Sequence, residues 1–367
     1  MSSKKDKSNN SDKYFMGIAM NLARERIGLT GLNPSVGCVI VKNNKILSFG
    51  QTGFKGRPHA EYEAIKKCKK NELKGSSIYI TMEPCTHYGK TPPCTNLIIK
   101  SKIKKVIYSA QDVDKRTANK AFSILKSKKI IVSKGLLKSQ AKKIYKNYFL
   151  HKNIKSPYVA AKIACSNDYF ISSKNKNITN QHSRGVSHLL RYNFDSILIS
   201  SKTANLDNSK LSCRINGLEN YSPRRLIIDK NLKINKTSPI INDKNKSNTV
   251  IFHSSKDRRK IKHLKSVGIK LNYTDLDDCN NINLKKVFSK AYNMGIGSII
   301  IEGGKILTKS ILKDKLINEF YLFKSNKNLG KLGKNNISDF ERKITYFLKK
   351  KENIETFLNG ENITRYY

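Results

Sequence analysis

The sequence predicts an α/β protein with two domains. Its 367 residues exceed what one ordinary core holds, and long chains commonly divide into domains of about 100 to 200 residues. Strand-like and helix-like segments alternate along the chain, which is typical of layered α/β folds. The segment HKNIKSP at 151–157 interrupts this alternation. We therefore predict a disordered basic tail over 1–11, one domain over 12–150 and a second over 157–367.

Local patterns predict the elements of the first domain. Apolar residues from Phe15 to Leu22 have the i, i+3, i+4, i+7 spacing of one helical face, so a helix is expected over 14–26. VGCVIVKNNKILSFG predicts two strands joined at Asn43-Asn44. The remaining predicted elements are strands at SSIYIT, KVIYSA and KIIVS and helices over 60–70, 93–101, 117–127 and 138–149.

The second domain repeats the alternation. Its predicted strands are YVAAKIA, SILIS, RRLIID, NTVIFHS and GSIIIEGG, and its predicted helices lie near 181–193, 282–293 and 305–313. The last third, with EFYLFKS and ITYFLKK, is predicted to be rich in strands. Both domains therefore belong to the α/β class.

Charge is the strongest compositional feature. The chain carries 72 Lys and Arg against 27 Asp and Glu, a formal net charge of +45. The excess is mostly lysine spread over the whole length, which favours a solvated lysine surface. A nucleic-acid footprint and electrostatic steering of a phosphorylated small molecule are the alternatives. We expect a cytoplasmic protein without a membrane segment, because no apolar run approaches the roughly 20 residues of a span and no secretory signal precedes the first domain.

A metal-binding pattern stands out in the first domain. RPHAEYEAI places a His two residues before a Glu at a predicted helix start, and MEPCTHYGKTPPC follows a predicted strand. In zinc deaminases, His and two Cys hold the metal while a nearby Glu, not a ligand, moves protons. Two thiolates balance the charge of Zn²⁺, and three protein ligands leave one position open. We predict that His59, Cys85 and Cys94 bind zinc and that Glu61 is the catalytic proton carrier.

The predicted geometry fits this pattern. Residues i and i+2 point about 200° apart on a regular helix, so His59 and Glu61 reach one site only near a helix N-terminus. Pro58 places His59 there. Pro92 and Pro93 likewise place Cys94 at a predicted helix start, where the helix dipole favours a thiolate. His87 is an alternative ligand, but its position two residues after a cysteine favours a place on the substrate side.

The spacing of the two cysteines narrows the class of zinc deaminase. Nucleoside and tRNA deaminases carry Pro-Cys-x2-Cys, whereas eight residues separate the two cysteines here. With NPSVGCVIV at 33–41 and EPCTHYGKTPPC at 83–94, the chain resembles the bifunctional deaminase/reductases of riboflavin biosynthesis. The resemblance implies a cytidine-deaminase-like three-layer domain followed by a dihydrofolate-reductase-like α/β domain.

The resemblance also implies a function. The expected first step is hydrolytic deamination of 2,5-diamino-6-(5-phosphoribosylamino)pyrimidin-4-one, and the second is NADPH-dependent reduction of the ribose of 5-amino-6-(5-phosphoribosylamino)uracil. Zn²⁺ and NADPH are the implied cofactors, and a homodimer is the implied assembly. In the deaminase, Asn33 and His87 would line the pyrimidine pocket.

For the second domain the residues alone say less. IEGG could present backbone N–H groups to a phosphate, and the chain has no GxGxxG. Residue roles therefore come from the resemblance. The implied substrate contacts are Arg191, Leu211, Arg214 and Glu302. The implied NADPH contacts are Ala164, Thr203, Asp207, Lys230 and Gly304.

Three segments depart from the family pattern. QDVDKR at 111–116 replaces a proline-punctuated turn. Tyr169 and Phe170 stand where the family has glycine and a basic residue after aspartate, and Asn177 stands where it has tryptophan. Two alternatives to the bifunctional enzyme follow: a deaminase whose second domain does not reduce, and a nucleic-acid-binding deaminase suggested by the net charge.

Overall fold

The computed structural model describes residues 2–173, 178–354 and 358–367, with side chains from Asn10 onward. Asn177 therefore lies outside the described residues. The chain divides into two compact units, Met1–Lys155 and Ser156–Tyr367. This boundary falls inside the predicted break, although the last helix of the first unit runs to Ile154, beyond the predicted limit at residue 150. Among the described residues, no helix is long and apolar enough to cross a membrane.

The first unit alternates strands and helices as the sequence predicts. Its helices are α1 (Ser2–Arg24), α2 (Ala60–Lys66), α3 (Lys70–Leu73), α4 (Cys94–Lys100), α5 (Lys120–Ser127), α6 (Lys138–Ile144) and α7 (Lys146–Ile154). Its strands are β1 (Gly37–Lys42), β2 (Lys45–Gln51), β3 (Ser77–Met82), β4 (Lys105–Ala110) and β5 (Ile131–Lys134). The β1–β2 turn is Asn43-Asn44, both with positive φ, which is the geometry that a two-residue hairpin needs.

Within residues 2–155 the strands form one five-stranded sheet in the order β2-β1-β3-β4-β5. β1 is antiparallel to β2 and β3, and β3, β4 and β5 are parallel. Helices α1 and α6 pack together against β1, β3 and β4, and α2 packs on β1 and β2 beside α4. The result is a helix–sheet–helix sandwich, the predicted three-layer domain.

The predicted disordered tail is helical in the structure. Helix α1 begins at Ser2 rather than near residue 14. The segment from Ser2 to Asp12 contains neither proline nor glycine, so nothing in it stops a helix that the amphipathic part nucleates. Asp12 is tied to the core, because its carboxylate accepts hydrogen bonds from Tyr79 Oη at 2.6 Å and Lys105 Nζ at 2.8 Å.

The second unit is larger. Its helices are α8 (Gln181–Tyr192), α9 (Ser201–Asp207), α10 (Pro239–Asn242), α11 (Arg258–Ser266), α12 (Leu284–Asn293), α13 (Lys305–Lys313) and α14 (Phe340–Phe347). Its strands are β6 (Tyr158–Cys165), β7 (Phe170–Ser173), β8 (Ser196–Ser200), β9 (Arg224–Ile228), β10 (Thr249–His253), β11 (Lys270–Tyr273), β12 (Ser298–Ile301), β13 (Glu319–Lys324), β14 (Gly333–Asn336), β15 (Lys351–Asn353) and β16 (Asn362–Tyr366).

In the described part of this unit, nine strands form a sheet in the order β11-β10-β9-β8-β12-β6-β13-β16-β15. The strands from β11 to β13 are parallel, and β16 and β15 are antiparallel additions at one edge. β7 and β14 pair separately. The central strands are buried along their length, as expected for a parallel sheet covered on both faces.

One predicted strand of this unit is wrong. ITYFLKK lies largely in helix α14, not in a strand. Phe340, Ile344 and Phe347 recur at helical spacing and pack against the core of the unit. The short apolar run ITYF is ambiguous without the preceding residues, and the helical period becomes visible only from Phe340 onward.

Candidate active sites

The predicted zinc ligands come from three element ends. His59 is the N-cap residue of α2, which begins at Ala60 and carries Glu61 in its first turn. Cys85 lies in the loop after β3, and Cys94 is the first residue of α4. Both helix starts follow prolines, as predicted. The three side chains therefore converge from one loop and two helix N-termini.

The distances suit a tetrahedral metal site. The ligand atoms of His59, Cys85 and Cys94 all lie within 4.8 Å of one another. His59 Nδ1 is 3.3 Å from Cys94 Sγ and 3.7 Å from Cys85 Sγ. Zn–S and Zn–N bonds at tetrahedral angles require an N···S separation of about 3.6 Å. One imidazole and two thiols at these spacings fit Zn²⁺.

The protein groups around Cys85 favour its thiolate form. The hydrogen bond from the Cys94 thiol outweighs burial and, with His59, lowers the pKa of Cys85 to about 4. The same bond and burial raise the pKa of Cys94 well above its usual value. The first backbone N–H of α4 donates to Cys85 Sγ at 3.2 Å. The helix N-terminus at Cys94 thus stabilises the neighbouring thiolate of Cys85.

Glu61 lies beside this cluster and is almost completely buried. Burial raises the pKa of Glu61 to about 6, although the charge of His59 opposes the shift. Its carboxyl group interacts with the side chain of Cys94. A carboxyl group with a pKa near neutrality can accept and return a proton in one reaction cycle.

A cavity of about 390 Å³ opens onto these groups. His59, Glu61 and Cys85 line it, and so do the predicted substrate residues Asn33 and His87. The Asn33 amide nitrogen donates to the carbonyl oxygen of Gly56 at 3.0 Å, which fixes its orientation. His87 Nδ1 is 3.1 Å from Thr117 Oγ1, so Nε2 is the ring nitrogen left for a ligand.

The sequence patterns did not single out several residues of this pocket. Arg57, Lys90, Tyr148 and Lys152 also line the cavity. Three of them are cations in a chain rich in lysine, so composition hides them. Glu83 was not predicted from the sequence either. Its buried carboxylate accepts hydrogen bonds from the backbone N–H groups of residues 112, 119 and 121, and these bonds anchor the loop after β4.

The second unit has its own cavity, of about 420 Å³, at the carboxyl ends of parallel strands. Ser200 at the end of β8 and Ile228 at the end of β9 line it. Ligands of open α/β sheets bind at such ends. The predicted NADPH residues Thr203, Asp207, Lys230 and Gly304 line the same cavity. Ala164 lies on β6 and does not line it.

The cavity offers groups for phosphates and for flat apolar rings. Gly304 is the N-cap of α13, whose first N–H groups have no partner within the helix. Lys202 and Lys305 add positive charge at the lining. Leu206 and Ile306, each 75% exposed, supply apolar surface. This combination suits a dinucleotide.

Arg191 and Glu302, two of the predicted substrate residues, form a buried ion pair. Arg191 Nε and Nη2 donate to the two carboxylate oxygens at 2.7 and 2.9 Å, and Nη1 donates to the Ser212 carbonyl oxygen at 3.0 Å. Burial alone would raise the pKa of Glu302, but Arg191 and Lys162 lower it to about 2. The Arg191 guanidinium is therefore committed to internal partners.

Arg214 is held by a residue that the sequence patterns missed. His188 Nδ1 lies 3.2 Å from the Ser212 carbonyl oxygen, so it carries the proton, and Nε2 accepts from Arg214 Nε at 3.2 Å. Burial and the neighbouring arginines lower the pKa of His188 to about 4, which keeps it neutral. Leu211, buried with φ +54°, begins the segment that carries Arg214.

The bulky residues that replace the family's glycine turn point away from the cavity. Tyr169 has φ +66°, and its hydroxyl donates to Glu341 at 3.2 Å. Phe170 covers Gly333, where an added Cβ would lie 2.3 Å from the ring. Neither residue lines the cavity, whose wall begins at Ile171.

Comparisons with known proteins match a family profile to each unit. The profile of the cytidine and deoxycytidylate deaminase zinc-binding region matches residues 9–110, and that of the RibD C-terminal domain matches residues 157–359. The chain is 30% identical to riboflavin biosynthesis protein RibD of Aquifex aeolicus over 97% of this chain and 98% of that protein. It is 33% identical to RibD of Bacillus amyloliquefaciens over 85% and 84% of the two chains.

Solved structures give the same result. RibD of Acinetobacter baumannii superposes with a TM-score of 0.83 at 25% identity, covering 98% of this chain and 99% of that one. A zinc deaminase domain followed by a reductase domain defines a two-activity deaminase/reductase enzyme. The chain belongs to the RibD family of riboflavin biosynthesis proteins, with deaminase and reductase activities and with zinc and NADPH as cofactors.

Proposed function

We propose that the first unit removes the 2-amino group of 2,5-diamino-6-(5-phosphoribosylamino)pyrimidin-4-one, and that the second unit reduces the ribose of 5-amino-6-(5-phosphoribosylamino)uracil. The convergence of His59, Cys85 and Cys94 beside buried Glu61 carries the proposal. A structure from Thermotoga maritima, described as a diaminohydroxyphosphoribosylaminopyrimidine deaminase and 5-amino-6-(5-phosphoribosylamino)uracil reductase, supports it. This chain is 26% identical to it, with a TM-score of 0.79 and 98% of the chain covered.

In the deaminase, His59, Cys85 and Cys94 hold zinc. The bound metal supplies the Lewis acidity that lowers the pKa of water toward neutrality. The Glu61 carboxylate takes one proton from the attacking water and passes it to a ring nitrogen. It then takes the second proton from the new hydroxyl group of the tetrahedral intermediate and delivers it to the amine, which leaves as ammonia when the C–N bond breaks. Asn33 and His87 orient the pyrimidine, and the buried walls of the cavity limit water around it.

In the reductase, the groups around the second cavity would hold NADPH, which would supply the hydride. Thr203, Asp207, Lys230 and the N-terminus of α13 at Gly304 would contact the cofactor, and Ala164 on β6 would be a further contact. Arg214 is the substrate's phosphate ligand, because one nitrogen is fixed by His188 while the side chain stays exposed. Arg191 and Glu302 shape the substrate side as a pair, beside Leu211.

We further propose that the enzyme is a cytoplasmic homodimer that does not act on nucleic acid. The seven cysteines are free, which supports a reducing compartment. Light scattering at two concentrations tests the dimer. Binding to a mixed-sequence RNA at several salt concentrations tests whether the enzyme acts on nucleic acid. A steep salt dependence of this binding would contradict the proposal that it does not.

The experiment that tests the two reactions follows ammonia release and NADPH oxidation in one sample of the zinc-loaded protein. We expect ammonia to be released even when NADPH is absent. NADPH should be oxidised only after deamination or when the deaminated intermediate is added. Cys85→Ala is expected to lose zinc and ammonia release while keeping reduction of the added intermediate. Ammonia release with no NADPH oxidation at any enzyme concentration would refute the reductase assignment.

A further inference from the structure

We propose that two side chains of α7, Tyr148 and Lys152, are positioning residues for the deaminase reaction. They hold the turn at 111–117, and this turn holds the segment that carries His87. The inference rests on the proposed deamination. It concerns the stretch QDVDKR, where the family's proline-punctuated turn is absent.

The turn needs anchors from outside because its internal bonds are local. Asp112 Oδ1 accepts from the backbone N–H of Asp114 at 3.0 Å. Asp114 in turn accepts from Arg116 Nε at 2.9 Å and Nη2 at 2.6 Å. These contacts join residues two apart, so they shape the turn without fixing its place against the rest of the pocket.

Helix α7 supplies the anchors. Tyr148 Oη donates to Asp112 Oδ1 at 2.8 Å, and Lys152 Nζ lies 3.4 Å from Asp114 Oδ2. Tyr148 is buried and the Lys152 side chain is 22% exposed, so neither contact is a loose surface pair. The bonds from Arg116 hold the pKa of Asp114 well below its usual range, so this carboxylate stays charged for Lys152.

The turn then contacts the segment next to the metal ligand. Thr86 Oγ1 donates to the carbonyl oxygen of Arg116 at 3.1 Å, and Thr117 Oγ1 lies 3.1 Å from His87 Nδ1. Thr86 and His87 directly follow the zinc ligand Cys85. A path of direct contacts thus runs from α7 through the turn to the side chain that faces the pyrimidine.

The base of the turn has an independent support. Glu83 accepts N–H bonds from 112, 119 and 121, and it contacts neither Tyr148 nor Lys152 in these bonds. Removing an anchor on α7 therefore leaves the loop attached and the unit folded. What changes is the freedom of the turn and, with it, the orientation of His87.

The test uses Tyr148→Phe and Lys152→Met in the full-length zinc-loaded protein, with ammonia release as the readout. Each variant removes one hydrogen bond to a carboxylate, and the loss of such a bond changes the equilibrium between the held and the released turn by roughly tenfold. We expect KM for the diaminopyrimidine substrate to rise about fivefold to tenfold, with kcat within about twofold of wild type and zinc content unchanged. Lys152→Arg should restore most of the wild-type KM.

Matched controls are Tyr14→Phe and Lys142→Met, which change exposed residues of the same types. Asp114→Asn combined with Lys152→Met should raise KM no more than the larger single effect, because both changes remove one contact. NADPH oxidation with the added intermediate should be unchanged in every variant.

The outcomes separate the inference from the function that it extends. If wild-type protein releases no ammonia, the proposed deamination fails and the inference fails with it. If wild type is active and both variants keep KM within twofold, the positioning role is refuted. A fall in kcat that parallels loss of zinc or a lower melting temperature, without a change in KM, would also overturn it in favour of a purely structural role.

Discussion

Replacing Arg191 with methionine tests the buried ion pair of the second unit. Arg191 and Glu302 are joined by two short hydrogen bonds, and their side chains are only 14% and 15% exposed. Methionine keeps much of the volume but removes the guanidinium, so that Lys162 is left to offset the charge of the carboxylate. Breaking a buried pair by removing one partner costs about 3 to 5 kcal/mol.

The pKa of Glu302 gives a second value for the contribution of the ion pair to the free energy of unfolding. Burial favours the neutral acid, yet Arg191 and Lys162 lower the pKa from 4.5 to about 2. At about 1.4 kcal/mol per unit, this shift corresponds to about 3 kcal/mol in favour of the folded, charged form. Because the folded pKa lies below the unfolded one, this stability is present above pH 4.5 and is lost as the pH falls toward 2.

Calorimetry of the full chain measures the effect. The transition that NADPH shifts upward belongs to the second unit. For a unit of this size, about 3 kcal/mol lowers the midpoint by roughly 6 to 12 °C at pH 7. The difference between wild type and variant should shrink at about pH 3, where the wild-type pair has lost part of its advantage. A shift below about 2 °C at pH 7, or one that is the same at both pH values, would refute the reasoning.

Three further predictions concern single positions. Glu61→Gln should keep stoichiometric zinc by metal analysis and lose at least about a hundredfold in ammonia release, because the amide cannot carry the proton; retained turnover would contradict the assignment. Gly37→Ala should destabilise the first unit strongly in a melting experiment, since its Cβ would lie 1.9 Å from the Ala19 carbonyl oxygen. Tyr169→Gly should leave KM for NADPH within about twofold; a larger drop in KM would mean that Tyr169 obstructs the cofactor.

The zinc ligands and the proton carrier of the deaminase site could be predicted from the sequence. The zinc ligands and Glu61 lie in short segments of the sequence. Prolines and helix-start patterns in these segments mark where the side chains lie. His59 and Cys94 accordingly lie where the patterns place them, at the starts of α2 and α4. What could not be predicted was the rest of the pocket lining, because it consists of separate cations and an aromatic residue that no compact motif marks.

The reductase site was less accessible for a physical reason. Its cavity is assembled from the ends of β8, β9 and β12, which are far apart in the chain and carry no compact motif. Arg191 illustrates the limit. As a sequence feature it is a candidate phosphate ligand, but its three donor nitrogens are engaged by Glu302 and a backbone carbonyl. Only long-range contacts show that Arg191 is buried in an ion pair and that, of the two arginines, Arg214 is the one exposed to solvent.

At the two described departures from the family pattern, contacts from neighbouring side chains compensate for the residues that are missing. Where the turn at 111–117 lacks prolines, charged and hydroxyl groups from α7 replace ring rigidity. Where Tyr169 replaces glycine, the left-handed backbone of a non-glycine residue costs about 1 kcal/mol or more. The Tyr169–Glu341 hydrogen bond and the Lys324 ammonium 4.1 Å from the ring centre offset that strain. Because neither partner lines the cofactor cavity, these two contacts hold the Tyr169 side chain outside it.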